Sequence, residues 1–85
     1  VMIDCSHGNS NKDFRKQSEV LKNIASQLSN GEKNICGVML ESHLKEGNQK
    51  LLKKEDLQFG RSITDACIGI ETTKELLAIL YNSIN

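Results

Sequence analysis

The stretch Ile35-Cys36-Gly37-Val38-Met39-Leu40-Glu41-Ser42-His43-Leu44 runs through six mostly apolar residues and then stops on an acid, a hydroxyl and an imidazole. Its apolar residues fall on both strand parities, which suits a strand covered on both faces, as in a parallel sheet. In α/β folds, a carboxylate where such a strand runs out is well placed for catalysis or metal binding. Glu41 is therefore the first candidate residue. Val1-Met2-Ile3-Asp4-Cys5 repeats the theme as the end of another strand, and Ser6-His7-Gly8-Asn9-Ser10 follows it.

Between the two strands lies a helix pattern. Ser10 and Asn11 can accept hydrogen bonds from free N–H groups of a first turn, and Asp13 suits its positive end. Phe14, Val20, Leu21, Ile24, Ala25 and Leu28 then form one apolar stripe, and Asn30-Gly31 supplies the stop. A helix over 12–29 is predicted. Strand, helix and strand make a βαβ unit, for which a right-handed crossover is expected. His7 and Glu41 stand 34 residues apart, one strand–helix repeat, each just past a strand end. Neighbouring strands lie about 4.8 Å apart, so the two side chains can face one point.

The 85 residues allow one domain at most. Folding at this size hides only roughly 60% of the unfolded surface. The 11 basic and 11 acidic residues cancel without clustering, which argues against nucleic acid and anionic membranes as partners. The chain contains no transmembrane-length apolar run and no signal-peptide pattern. Cys5, Cys36 and Cys67 are odd in number and lack metal-type spacing; they read as reduced core thiols of a cytoplasmic protein. Opening inside an apolar strand, without an initiator Met, leads us to expect a piece of a longer polypeptide.

Beyond Leu44 the chain turns polar. Lys45–Gln49 reads as loop, and Leu51-Leu52 and Leu57-Gln58-Phe59 flank a charged tip that suits a short hairpin or an ordered excursion. A loop this long in a compact domain is usually functional. Asp65 sits among Ile63, Ala66, Cys67 and Ile68, so partial burial and a partner are expected. Thr72 and Glu75 have capping-box spacing, with Leu76, Leu77, Leu80, Tyr81 and Ile84 as the stripe of a second helix.

The constellation with chemical content is His7, Glu41 and Asp65. One imidazole and two carboxylates suit a divalent ion such as Mn(II), Fe(II), Co(II) or Zn(II). The plain alternatives are a hydrogen-bonded histidine, an ion-paired glutamate and a turn-capping aspartate. His43 competes as the imidazole, and spacing does not exclude it.

Met2–Ser10, Gly37–Gln49 and Ser62–Gly69 together closely resemble the class I 3-deoxy-D-arabino-heptulosonate 7-phosphate (DAHP) synthases, the microbial type regulated by aromatic amino acids. The resemblance covers essentially the whole chain, as the C-terminal portion of one catalytic domain. The related 3-deoxy-manno-octulosonate 8-phosphate synthases match less well. The resemblance implies an α/β fold in which the chain supplies the last two strand–helix units of a (β/α)8 TIM barrel. It implies condensation of phosphoenolpyruvate with erythrose 4-phosphate, the first step of the shikimate pathway, by a cytoplasmic homo-oligomer. It also implies a divalent metal held by a Cys, a His, a Glu and an Asp. His7, Glu41 and Asp65 match the last three and form the catalytic set. The family's Cys and its main phosphate-binding residues lie upstream, and none of this chain's cysteines takes the ligand's place. Asn9, Ser42, His43 and Asn48 neighbour the ligands, with loop-stabilising hydrogen bonds as their plainer role. In isolation the chain is expected to be inactive and to self-associate through uncovered apolar surface at Ile35, Val38, Met39 and Leu40.

Overall fold

In the computed structural model, which describes residues 1–84, the two apolar stretches form β1 (Met2–Asp4) and β2 (Gly37–Met39). They pair in parallel, with Met2 opposite Gly37, Ile3 opposite Val38 and Asp4 opposite Met39. Flanking bonds lengthen the contact, since the Cys36 N–H donates to Val1 O at 2.8 Å and the Cys5 N–H to Met39 O at 2.9 Å. Strand adjacency, the condition for a shared site, is met. Side chains alternate across a strand. Ile3, Cys5, Val38 and Leu40 belong to one core with the helices, whereas Met2 is 66% exposed on the other face. Among the described residues the sheet is thus covered on one face, not on both as the apolar run suggested. Ile35, Val38, Met39 and Leu40 are all half-buried.

The predicted helix over 12–29 is shorter and begins later. After β1 the chain makes a single turn, α1 (His7–Ser10), which Asn11 and Lys12 end in the left-handed region, with φ of 52° and 60°. Such a conformation disfavours a right-handed helix through the same residues. Asp13, rather than Ser10 or Asn11, supplies the helix-start acceptor, taking the Arg15 N–H at 3.0 Å. A 3₁₀ turn at Phe14–Lys16 then leads into α2 (Gln17–Ser29). The stop at Asn30-Gly31 falls where expected. Gly31 takes φ 93°, and Glu32 N–H reaches back to Gln27 O at 3.0 Å.

α2 packs against α3 (Ile70–Ser83). Leu21, Ile24, Ile68, Leu76 and Cys5 form the fully enclosed centre. Truncating Leu21, which is 0% exposed, is expected to cost about 2–5 kcal/mol. α3 starts at Ile70 behind Gly69 and makes no side-chain cap, so the Thr72–Glu75 capping box is not used. Its buried stripe is Leu76, Ile79 and Leu80, while Leu77, Tyr81 and Ile84 stay exposed at 54%, 66% and 67%.

The segment between β2 and α3 is an ordered excursion without a hairpin. Isolated bridges join Ser42 to Ile68, Gly47 to Cys67 and Asn48 to Ser62, and a 3₁₀ turn marks the charged tip at Lys54–Asp56. Gly60 closes it with φ 83°, and a Cβ there would stand 2.9 Å from that of Leu44. Cys5 and Cys67 are buried as expected, but Cys36 is exposed, a correction to its reading as core. Among the described residues no helix is long and apolar enough to cross a membrane.

Candidate metal centre

The end of β1 places His7 at the head of α1, and Asp4 fixes it there. Asp4 accepts the Ser6 N–H at 2.8 Å and the His7 N–H at 3.3 Å through Oδ1, and meets His7 Nδ1 at 2.8 Å through Oδ2. These bonds hold the Asp4 carboxyl below the usual carboxylate range, the bond to the His7 ring being the largest cause. An ionised carboxylate only accepts, so Nδ1 carries the proton. The other ring nitrogen is thereby aimed past the strand end.

There Nε2 lies 2.6 Å from Glu41 Oε1 and 3.5 Å from Asp65 Oδ2. One ligand atom from each of His7, Glu41 and Asp65 lies within 4.8 Å of the others. A lone pair on Nε2 facing two carboxylate oxygens is repulsive. The arrangement is consistent only with a positive centre between them, a proton or a metal ion. The imidazole is accordingly raised above its ordinary pKa, first by the Asp4 bond and then by the charges of Glu41 and Asp4. A nitrogen and two oxygens, with the imidazole oriented by an outer carboxylate, fit the donor chemistry of a divalent ion. The sequence-derived trio is brought together as a group.

Burial differs among the three. The Glu41 side chain is 19% exposed, that of His7 41% and that of Asp65 67%. Asp65 is therefore open to solvent, contrary to the partial burial expected from its apolar neighbours. Of those neighbours Cys67 and Ile68 are buried, while Ile63 is itself 48% exposed. His7, Glu41 and Asp65 line a cleft of about 170 Å³ together with Ser6, Lys12, Asn48, Thr64 and Ala66. Small-molecule sites usually span roughly 300–1,000 Å³, so these residues make one wall rather than a whole pocket.

His43 is not the imidazole of this site. Its Nδ1 accepts the Leu44 N–H at 2.8 Å. Asn9 donates to Asp4 O at 2.7 Å, Asn48 to Thr64 O at 2.9 Å, and the Ser42 and Thr73 hydroxyls pair, so these side chains stabilise loops. Burial raises the thiols of Cys5 and Cys67, which keeps them protonated and poor ligands.

Sequence reading missed two residues. Asp4 gave only a weak signal, an acid three residues before His7 at the end of the same strand. Gln17 is fully buried and bonds both the N–H and the C=O of Glu41. Its only signal was a place one turn before Leu21 on the buried stripe.

The chain is similar in sequence and fold to known proteins. The Phe-sensitive phospho-2-dehydro-3-deoxyheptonate aldolase of Escherichia coli (strain K12) is 56% identical over 84 residues, covering 99% of this chain and 24% of that protein. The phenylalanine-inhibited phospho-2-dehydro-3-deoxyheptonate aldolase of Saccharomyces cerevisiae is 52% identical over 87 residues, again covering 99% and 24%. A solved phospho-2-dehydro-3-deoxyheptonate aldolase from Francisella tularensis SCHU S4 superposes with a TM-score of 0.93 at 48% identity, over 99% of this chain and 24% of that one. The chain thus spans about a quarter of the length of the relatives it matches. With residues 1–78 matching the family model described as the DAHP synthetase I family, the chain belongs to that family.

Proposed function

We propose that this chain is the C-terminal part of the catalytic domain of a 3-deoxy-7-phosphoheptulonate synthase. The overall reaction joins phosphoenolpyruvate, erythrose 4-phosphate and water to give DAHP and inorganic phosphate. The observation that carries the proposal is the meeting of His7 Nε2, Glu41 Oε1 and Asp65 Oδ2 beyond two paired parallel strands. The names of the relatives support the same reaction class. In this reading β1–α2 and β2–α3 are the last two strand–helix units of a (β/α)8 barrel. The uncovered sheet face turns toward the barrel interior, and the whole enzyme is a cytoplasmic homo-oligomer.

His7, Glu41 and Asp65 would hold a divalent ion such as Mn, Fe, Co or Zn, which supplies a Lewis acid for a carbonyl or a water. The remaining work belongs to the chain. Asp4 keeps the proton on Nδ1 and so leaves Nε2 as the donor atom. Glu41 and Asp65 offset the charge of the ion without the strong electron donation of several thiolates. The 85-residue chain lacks the family's upstream Cys and phosphate-binding residues, so alone it should not turn over.

Phosphate release by the full-length protein tests this reading. Release should require both phosphoenolpyruvate and erythrose 4-phosphate, stop on chelation, and return with Mn(II). Release from phosphoenolpyruvate alone, or none after metal is restored, would defeat it.

A further inference from the structure

Past Met39 the β1–β2 ladder has run out, because the segment after β1 has turned into α1 and leaves Glu41 with no β1 residue opposite it. Gln17 takes the missing strand's place. Its Oε1 accepts the Glu41 N–H at 2.9 Å, and its Nε2 donates to Glu41 O at 3.2 Å. The same carbonyl oxygen also accepts the Ile68 N–H at 2.9 Å. The Glu41 backbone is therefore held by the first residue of α2 and by Ile68, in the segment that carries Asp65. Gln17 itself is 0% exposed. A buried carboxamide must find partners, and here both of its polar atoms are used on the backbone of one residue, Glu41.

From this we infer that Gln17 is a positioning residue of the metal centre: by clamping the Glu41 peptide it fixes the direction of the Glu41 carboxylate. It touches neither ligand atoms nor cleft, so it acts only through Glu41. A helix residue is thereby coupled to the ligand set, and the rigidity of α2 is lent to a position just beyond the sheet. The inference rests on the metal-centre reading above and adds a residue that contributes no ligand atom to it.

The test uses the full-length protein carrying Gln17→Met, which keeps side-chain length but loses both bonds. A second variant, Gln17→Asn, keeps the carboxamide one methylene short and decides the matter if the first does not fold. Leu21→Val, buried one turn along the same helix and without a bond to Glu41, is the control for general loss of stability. Mn(II) affinity is read by electron paramagnetic resonance titration, and melting temperature is read on the metal-free proteins. All three variants should melt lower. Only the Gln17 variants should raise the Mn(II) Kd, by about tenfold or more, as for other outer-shell losses. Wild-type binding with Gln17 variants inside about twofold of it would overturn the role of Gln17 alone. A matching rise in Leu21→Val would reduce it to stability. No Mn(II) binding by the wild type would take down both readings.

Discussion

His7 and Glu41 are placed by a strand ladder, whereas Asp65 is placed by a loop. The first two follow strands whose register is fixed by successive backbone bonds, and each is further pinned by a polar side chain, Asp4 or Gln17. Asp65 follows Thr64, whose carbonyl is held by Asn48, and precedes Cys67, which exchanges two backbone bonds with Gly47. No strand lies within 42–69. The difference in exposure follows, 19% for Glu41 against 67% for Asp65. One half of the site is thus rigid by construction, and the other is only as rigid as a loop.

The largest expected effect separates these halves. In the full-length protein, His7→Ala and Glu41→Gln should weaken Mn(II) binding beyond the roughly 10–100-fold typical of an outer-shell loss. Turnover should fall with it. Asp65→Asn should also weaken both, but less, because water more readily replaces an exposed oxygen than a half-buried one. Calorimetric titration of the three variants checks the ranking, and normal affinity in Glu41→Gln or Asp65→Asn would remove that residue from the set.

A smaller effect probes the loop itself. Gln49 binds Gln58 O and Arg61 O through Nε2, at 2.9 and 2.8 Å, and accepts the Gln58 N–H at 2.8 Å. Gln49→Ala should speed hydrogen exchange across 58–64 and leave β1 and β2 protected. Equal loss of protection in the strands would mean that the two regions are one cooperative unit. The smallest effect is at His43, whose ring accepts its neighbour's N–H. His43→Ala should leave the Mn(II) Kd within about twofold of wild type, well short of an outer-shell loss.

The ladder half was also the legible half. Apolar runs ending in His and Glu marked two strand ends, and one intervening helix implied that the strands could be neighbours. Parity could not tell that only one sheet face is covered here, because the run of apolar residues is the same in either case. Left-handed Asn11 and Lys12, which delay α2, carry no periodic signal, and neither residue is a glycine. Asp65 was identified by the company it keeps in sequence, yet of those neighbours only Cys67 and Ile68 are buried, and Asp65 stays outside. Gln17 shows the complementary failure. A polar residue on an apolar stripe reads as a defect until the peptide it binds is known, and that peptide lies 24 residues away.

The central claim is that ladder and loop converge on one divalent ion. Anomalous scattering at the manganese edge, from crystals of the full-length protein grown with Mn(II), tests it most directly. A single strong peak should lie within coordination distance of His7 Nε2 and of one oxygen each of Glu41 and Asp65. A peak bonded to His43 instead, or full occupancy of manganese at a site that omits these three residues, would contradict it.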